Sequence, residues 1–372
     1  MTINLLPMAT QDLLWQVIRN PAAKSDEERA ALLVDPGFGK VFTDHMFDIC
    51  WSEKGGWHRP RVQAYGPITL DPAAAVLHYA QEVFEGLKAY RHADGSIWTF
   101  RADQNAARMQ RSAARLALPE LPAEYFIESL KQLIAVDAAW VPDRNETSLY
   151  LRPFMFAKEA FLGVRPAAKV NYYLIASPAG AYFASGITPL EIWLSSKYTR
   201  AGHGGMGKAK TGGNYASSLV AQAEAYENGC QQVLFLDAEE GKYLEELGGM
   251  NVVLVTRDKK VITPDSDSIL EGITLASILQ LAKDRGYTVE QRRVSIDEWR
   301  DGVASGDIVE AFACGTAAVV TPIAVVRNND LEIRMPDFAD ADRVSLSLRA
   351  ELTDIQYGRV ADKHGWLLRL DA

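Results

Sequence analysis

The stretch from Gly204 to Tyr215, which reads Gly-Gly-Met-Gly-Lys-Ala-Lys-Thr-Gly-Gly-Asn-Tyr, constrains the fold of this chain more than any other. Its glycines let the backbone bend tightly and bring an amine close to a flat ligand without Cβ clashes. From Asn214, apolar residues recur at helical spacing up to Asn228 and Gly229, where a left-handed cap can end a helix. The sequence therefore predicts a lysine amine held at the mouth of a helix.

Three interpretations of this stretch remain open from the stretch alone. Gly202, Gly207 and Lys208 satisfy the phosphate-binding pattern Gly-x-x-x-x-Gly-Lys, but Ala209 stands where a Ser or Thr hydroxyl is needed to hold magnesium. A Schiff-base lysine is the second interpretation, with Lys210 preferred to Lys208, because a partly desolvated amine among small residues can attack a carbonyl. A surface loop with solvated lysines is the third, since Gly and Lys are common loop residues.

Composition narrows the class of protein. The chain has 372 residues, of which 48% are hydrophobic and 23% charged, which is typical of a soluble enzyme with two domains. The net charge is −9 and the positive residues form no basic stripe, so nucleic acid is not expected as a partner. The apolar run 311–326 is shorter than the ~20 residues of a membrane span, so no membrane is expected either.

The cysteines and the N-terminus indicate the compartment. Cys50, Cys230 and Cys314 are far apart in sequence, so they form neither a metal-ligand spacing nor a disulfide framework, and no metal is predicted. Residues 1–20 lack a basic n-region and carry Asp12, which does not fit a secretory or transit peptide. We expect a cytoplasmic protein whose partners are small molecules.

Three separated motifs carry a family resemblance. Lys210-Thr-Gly-Gly-Asn-Tyr215 is followed by Glu246-Leu-Gly-Gly-Met-Asn251 and then by Gly272-Ile-Thr274. In this order they resemble the branched-chain amino acid aminotransferases, which are pyridoxal-phosphate enzymes of the type IV fold. The resemblance runs from about Gly37 to the C-terminus.

The resemblance implies a two-domain α/β fold with mixed α+β character. A smaller N-terminal domain with an N-terminal extension would span residues 1–184. A larger cofactor-binding domain would span residues 185–372, with the boundary near Gly186. The first 36 residues are predicted to be a partly helical lead-in, because Leu13, Leu14, Val17 and Ile18 stand at helical spacing.

The resemblance also implies roles around the cofactor, pyridoxal 5′-phosphate. Lys210 would carry its aldehyde and then act as the general base, Tyr215 would hydrogen-bond the ring oxygen, and Glu246 would face the pyridine nitrogen. The phosphate ligands would be Arg108, Gly272, Ile273, Thr274, Gly315 and Thr316. A helix arginine such as Arg108 is otherwise most simply a solvated side chain. Two residues depart from the family pattern here, since Leu275 replaces a common arginine and Glu271 a common proline.

A second set of residues is implied to contact substrate. Phe38, Phe84 and Tyr182 would form an apolar wall, although aromatic residues of this kind are more often core by base rate. Tyr150 and Arg152 would bind the distal carboxylate of glutamate or 2-oxoglutarate. The complete substrate-binding set is Phe38, Tyr79, Phe84, Tyr150, Arg152, Leu162, Val164, Tyr182, Gly249 and Ala317.

The implied activity is transfer of the amino group of leucine, isoleucine or valine to 2-oxoglutarate. The implied quaternary structure is a homodimer with shared active sites, in which Leu162 and Val164 of one subunit close the pocket of the other. Within the fold, a D-amino acid aminotransferase and a lyase of a chorismate-derived substrate are rivals. The Phe84-Glu85-Gly86 and Tyr150-x-Arg152 motifs favour the branched-chain enzyme. A nucleotide-binding protein is the rival from another class, and Ala209 argues against it.

Overall fold

The computed structural model of the protein describes residues 13–144, 146–180, 187–337 and 343–372. Within these residues the chain builds two sheets of nine strands each, and helices pack on both. The helices, in chain order, are α1 Asp26–Val34, α2 Ala75–Tyr79, α3 Ala102–Arg115, α4 Ala123–Asp137, α5 Gly212–Glu227, α6 Ile273–Asp284, α7 Ile296–Ser305 and α8 Val344–Gln356, with a single 3₁₀ turn at Ala138–Trp140.

The first sheet collects the strands of the N-terminal half and one strand from the C-terminus. Its members are β1 Gln16–Val17, β2 His45–Ser52, β3 Gly56–Ala64, β4 Glu82–Phe84, β5 Leu87–Arg91, β6 Ile97–Phe100, β7 Ser148–Ala157, β8 Lys169–Ala179 and β18 Leu367–Arg369. The spatial order is β1-β3-β2-β8-β7-β5-β6-β18, with the short β4 paired to β7. Neighbours are antiparallel except for the parallel pair β1 and β3.

The second sheet is mixed. Its members are β9 Leu190–Leu194, β10 Gln232–Leu236, β11 Leu244–Leu247, β12 Asn251–Thr256, β13 Lys260–Pro264, β14 Thr288–Arg292, β15 Ile308–Gly315, β16 Val319–Arg327 and β17 Glu332–Arg334. The order is β11-β10-β9-β16-β15-β12-β13-β14, with β17 paired to β16. Strand β9 runs parallel to β10 and β16, and β13 runs parallel to β14. The prediction of a mixed α/β chain is confirmed.

Each sheet has its own apolar core. Helices α3 and α4 bury Met109, Phe126 and Leu130 with Phe47 and Tyr172 of the first sheet. Burying side chains of this size contributes about 1.5–3 kcal/mol each. Helices α6 and α8 pack on one face of the second sheet, in a cluster that also includes Tyr90 and Phe100 of the first sheet. These cores hold the two sheets rigid, and the loops of the candidate site extend from the sheets.

The N-terminal segment differs from the sequence prediction. A helix over residues 13–18 is wrong, because Gln16–Val17 forms the edge strand β1 beside β3. Leu13 packs on the core while Leu14 is 87% exposed, which is the alternation of a strand. The helix in this region is α1, where Ser25 and Glu28 form a capping box.

The proposed domain boundary near Gly186 lies outside the described residues, so the division at 184/185 stays a prediction. Strand β18 pairs with β6, so the chain returns to the first sheet after completing the second. No helix in the described ranges is long and apolar enough to cross a membrane.

Candidate active site

Lys210 lies directly before α5, where contacts from three elements fix it. Its amide N–H donates to Ser112 Oγ at 2.9 Å, and its carbonyl accepts from the Phe84 N–H at 3.0 Å. Its Nζ donates to the Tyr215 hydroxyl at 2.7 Å and lies 4.9 Å from the centre of the Phe84 ring. The half-buried amine therefore stands between a strand of the first sheet and a helix of the second.

The other lysine of the loop has different surroundings. Lys208 is exposed, and its Nζ lies 3.4 Å from Asp267 Oδ1. Asn214 fixes the loop by donating from Nδ2 to the carbonyls of Met206 and Ala209, at 2.8 and 2.9 Å. Only Lys210 of the two faces aromatic rings in an enclosed setting.

Glu246 is the buried carboxylate of β11. Its Oε1 accepts from Arg200 Nη2 and from the Leu270 N–H at 2.8 Å, and the described residues give its Oε2 no hydrogen bond. Burial raises the pKa of Glu246 to about 7, and the positive charge of Arg200 acts in the opposite direction. The second oxygen of this carboxylate is suited to accept a hydrogen bond from a protonated ring nitrogen.

Sequence reasoning missed Arg200. Besides Glu246 it donates to the carbonyls of Gly207 and Ser268, at 3.0 and 3.1 Å, so it ties the lysine loop to the carboxylate. The sequence shows an arginine just before a glycine-rich loop, and nothing in that local pattern indicates that its side chain is buried.

The start of α6 presents free backbone donors. Its N-cap is Gly272, which has no side chain to cap the helix, and the first turn carries no acidic residue. The N–H groups of Ile273 and Thr274 have no partner within the helix, which makes such an end a site for anions. Leu275 packs into the core and Glu271 pairs with Arg111 at 3.0 Å, so neither departure from the family pattern prevents the helix from starting here.

Arg108 lies beside this helix end. Its Nη1 donates to the Glu271 carbonyl at 3.0 Å, while Nε and Nη2 bind the fully buried Glu85 at 2.7 and 2.8 Å. Burial alone would raise the pKa of Glu85, and the Arg108 guanidinium holds it below its usual value. An arginine has five N–H donors, so two of them remain for a further acceptor. Glu85 is a second residue whose contact was not predicted.

Tyr150 and Arg152 stand on one face of β7, two residues apart. Arg152 Nη2 donates to the Tyr150 hydroxyl at 3.0 Å, and its guanidinium carbon lies 4.9 Å from the centre of the Phe84 ring. Its Nε is buried without a hydrogen bond among the described residues. Phe38 packs edge-on against Tyr150 at 5.0 Å. A Cβ at Gly86 would lie 2.9 Å from Tyr150 Cζ, so glycine is needed there for this arrangement.

A cavity of about 310 Å³ adjoins Tyr215 and is lined by Gly249, Gly315, Thr316 and Ala317, among others. A Cβ at Gly249 would lie 3.8 Å from Tyr215 Cε1, and one at Gly315 would lie 3.5 Å from the Gly249 carbonyl. The Ala317 carbonyl accepts from Lys88 Nζ at 2.9 Å. The glycines thus leave open the space beside Tyr215.

The remaining predicted substrate residues lie elsewhere in the single chain. Leu162 and Val164 are 71% and 91% exposed, and Tyr79 is 38% exposed. Tyr79 packs near Phe161, at 6.4 Å between ring centres, so these side chains share one surface region. Tyr182 lies outside the described residues.

Comparison with known proteins agrees with this geometry. The family model for class IV aminotransferases matches residues 82–326, which is more than half of the chain. The branched-chain-amino-acid aminotransferase of Mycobacterium tuberculosis (strain ATCC 25618 / H37Rv) is 58% identical over 98% of this chain and 100% of its own length. That of Mycolicibacterium smegmatis is 56% identical over 98% of this chain and 100% of its own length. The chain belongs to the class IV aminotransferases.

A solved structure gives the same result for the fold. The branched-chain amino acid aminotransferase from Thermobaculum terrenum, in its pyridoxal-phosphate-bound holo-form, is 25% identical, with a TM-score of 0.71 over 87% of this chain and 98% of the other. The predictions of the type IV fold, of pyridoxal phosphate as the cofactor and of a branched-chain-amino-acid aminotransferase are confirmed.

Proposed function

We propose that one site moves the amino group of leucine, isoleucine or valine to 2-oxoglutarate in two half-reactions. The observation that carries this proposal is the Phe84 ring, which has the Lys210 amine and the Arg152 guanidinium each 4.9 Å from its centre. An apolar face is thereby flanked by a reactive amine and by a cation. Such a face can accept an aliphatic side chain or the chain of a dicarboxylate.

The residues present fit pyridoxal phosphate. The uncapped start of α6 and the remaining donors of Arg108 suit a phosphate. Glu246 Oε2, which has no hydrogen bond within the described ranges, suits a ring N–H. When bound, the cofactor supplies an electrophilic aldehyde and a ring that withdraws electrons from the substrate α-carbon. We assign Ile273, Thr274 and Thr316 to the phosphate because the motifs that carry them resemble those of the family.

Lys210 is the residue to which the cofactor attaches and the base that moves the substrate proton. Its Nζ is hydrogen-bonded to Tyr215, which lines the cavity together with Gly249 and Ala317, and we place the substrate α-carbon next to this amine. Nζ takes the proton that leaves this carbon, which is general-base work suited to a positioned amine. Tyr215 orients the amine through the 2.7 Å hydrogen bond.

Arg152 and Tyr150 are assigned to the distal carboxylate. A half-buried guanidinium whose Nε has no hydrogen bond among the described residues has donors to spare for a planar anion. Phe38 and Phe84 supply the apolar surface for leucine, isoleucine and valine.

The lysine assignment is tested by reducing the protein–cofactor link with borohydride and mapping the modified peptide. Lys210→Ala should lose the fixed cofactor, and the matched variant Lys208→Ala should keep it, because Lys208 is exposed and paired with Asp267. An adduct on Lys208 would show that Lys208, and not Lys210, binds the cofactor. In the same preparations, single-turnover reactions with leucine, isoleucine, valine and D-alanine separate this function from that of a D-amino acid aminotransferase.

We further propose a homodimer with shared sites. Leu162 and Val164 project apolar side chains into solvent in the single chain, and Tyr79 lies in the same region. If a second copy of the chain covers this surface, Leu162 and Val164 of the first copy lie at the active site of the second copy. Val164→Asp should weaken the dimer in analytical ultracentrifugation, and Val360→Asp, at another exposed valine, should not. A Val164→Asp protein that sediments as the wild type does would contradict this placement.

The cytoplasm is our proposed compartment. Cys50, Cys230 and Cys314 are free and buried, which fits a reducing environment.

A further inference from the structure

The backbone of the segment after Lys210 is fixed by a strand of the other sheet. Thr211 is the N-cap of α5, yet its side chain makes no capping hydrogen bond. Its hydroxyl instead donates to the Glu82 carbonyl at 2.8 Å and to Glu82 Oε1 at 3.3 Å. The N-terminal residue of the helix, Gly212, donates its N–H to the same Oε1. The capping function therefore comes from Glu82, 130 residues away.

The fit between these groups is close. A Cβ at Gly212 would lie 2.5 Å from Glu82 Oε1, so only a glycine lets the carboxylate reach the helix end. The negative charge also opposes the positive end of the helix dipole. Two residues further along β4, the Phe84 N–H binds the Lys210 carbonyl. One short strand thus holds both the lysine and the turn that follows it.

We infer that Glu82 is a positioning residue that sets the orientation of Lys210 by capping α5 from β4. This inference rests on the proposed role of Lys210. Burial raises the pKa of Glu82, while the Gly212 and Thr211 donors and the charge of Arg152 act against that rise. The groups that Glu82 fixes therefore also stabilise its ionised form. Glu82 itself touches no reacting atom, and its effect should appear in the rate of the chemical step rather than in substrate binding.

The test compares Glu82→Ala and Glu82→Gln in the full chain. Losing a cap costs about 0.5–2 kcal/mol, so in Glu82→Ala the amides at 212–214 of the cofactor-free protein should exchange roughly 2- to 30-fold faster. Capture of pyridoxal phosphate, followed by absorbance, should slow about 10-fold, and kcat with leucine should fall about 10- to 100-fold with KM nearly unchanged. Glu82→Gln retains an acceptor oxygen and should restore exchange and kcat to within about 3-fold of the wild type.

Gln81→Ala is the matched control on the same segment. The Gln81 side chain donates to the Leu116 carbonyl at 2.9 Å, and among the described residues it makes no hydrogen bond to the lysine segment. It should lower the melting temperature without changing exchange at 212–214 or the capture rate. If Gln81→Ala reproduces all effects of Glu82→Ala, the role of Glu82 is merely structural and the inference is wrong.

A double-mutant cycle gives an independent check. Gly212→Ala should slow capture in the wild type, because its Cβ displaces the carboxylate, and should have a smaller effect when Glu82 is already alanine. Additive effects would overturn the inference.

A change confined to the KM for glutamate would also overturn it, since Glu82 would then act through Arg152. If borohydride places the cofactor on another lysine while exchange at 212–214 still rises, the lysine assignment fails and the cap stands.

Discussion

Arg200 and Glu246 form a buried ion pair in which each side chain is 5% exposed, and Arg200 also holds the Gly207 carbonyl of the loop that carries Lys210. Taking two charges out of water is costly, and their mutual attraction offsets this only when the geometry is good. Here the carboxylate keeps one oxygen without a hydrogen bond among the described residues. The pair thus has a charge-balanced acceptor oxygen, which suits the ring nitrogen that we propose it binds.

The first prediction concerns the stability of the cofactor-free protein. Because burial raises the pKa of Glu246 to about 7, the folded protein binds this proton more tightly than the unfolded chain, where the pKa is 4.5. The contribution of this proton to the free energy of unfolding is fully present below pH 4.5 and is lost as the pH rises through 7. Relative to Glu246→Gln, the wild type should lose at most roughly 3–3.5 kcal/mol over this window, measured by urea unfolding. A difference between the two proteins that stays constant with pH would contradict the pKa shift.

The second prediction concerns the rate. Glu246→Gln should keep the cofactor bound but lose at least ~100-fold in kcat, because a neutral amide does not stabilise a protonated pyridine. Glu239→Gln, at an exposed position, is the control and should react as the wild type does. Near-normal turnover of Glu246→Gln would assign the ring nitrogen to another carboxylate.

The third prediction concerns Arg200. Arg200→Met leaves the Glu246 carboxylate buried without its cation, so the pKa of Glu246 should rise further. The affinity for pyridoxal phosphate should then weaken near neutral pH and recover at higher pH, where the carboxylate ionises. Titration of the cofactor by fluorescence from about pH 6 to about pH 9 measures this shift. An affinity that has the same pH profile as the wild type would show that Arg200 has no influence on this carboxylate.

The residue pairs of the candidate site that lie within short motifs follow from the sequence. Lys210 and Tyr215 are five residues apart at a helix start, and Tyr150 and Arg152 share one face of a strand because side chains alternate. In both cases local geometry brings the groups together. The helix predicted from Asn214 up to Asn228 and Gly229 corresponds to α5, Gly212–Glu227.

The contacts that lie between motifs could not be predicted. Arg200 meets Glu246 across 46 residues within the second half of the chain, and Lys210 meets Ser112 of α3 across 98, so only tertiary packing creates these pairs. The edge strand β1 was also mistaken for a helix. Its short apolar run fits either period, and pairing with β3 decides the outcome.

The fourth prediction concerns the glycine behind Tyr150. Gly86→Ala would put a Cβ 2.9 Å from Tyr150 Cζ, so the ring must shift away from Arg152. Overpacking of this kind costs about 1–3 kcal/mol. Thermal unfolding should show that loss, and KM for glutamate should rise. Gly66→Ala is the control, since a Cβ there meets nothing within 4 Å and should change neither quantity.

The last prediction tests whether one cavity serves two kinds of substrate. A wall built from Phe38 and Phe84 alone would leave the distal carboxylate of glutamate unpaired, and burying a charge in that way is costly. Arg152, whose Nε has no hydrogen bond among the described residues, is the cation that lies over this wall. Arg152→Met keeps much of the side-chain volume and removes the charge.

Arg152→Met should therefore impair the half-reaction with glutamate or 2-oxoglutarate by about 100-fold or more, which corresponds to a lost charge-assisted hydrogen-bond pair of roughly 3 kcal/mol. The half-reaction with leucine should change by less than about 5-fold, because an aliphatic side chain makes no use of the cation. Single-turnover absorbance measures each half-reaction separately, and Arg334→Met, at an exposed arginine, is the control. Equal losses in both half-reactions of a folded, cofactor-loaded protein would mean that Arg152 supports the structure of the pocket and that the carboxylate is bound by another group.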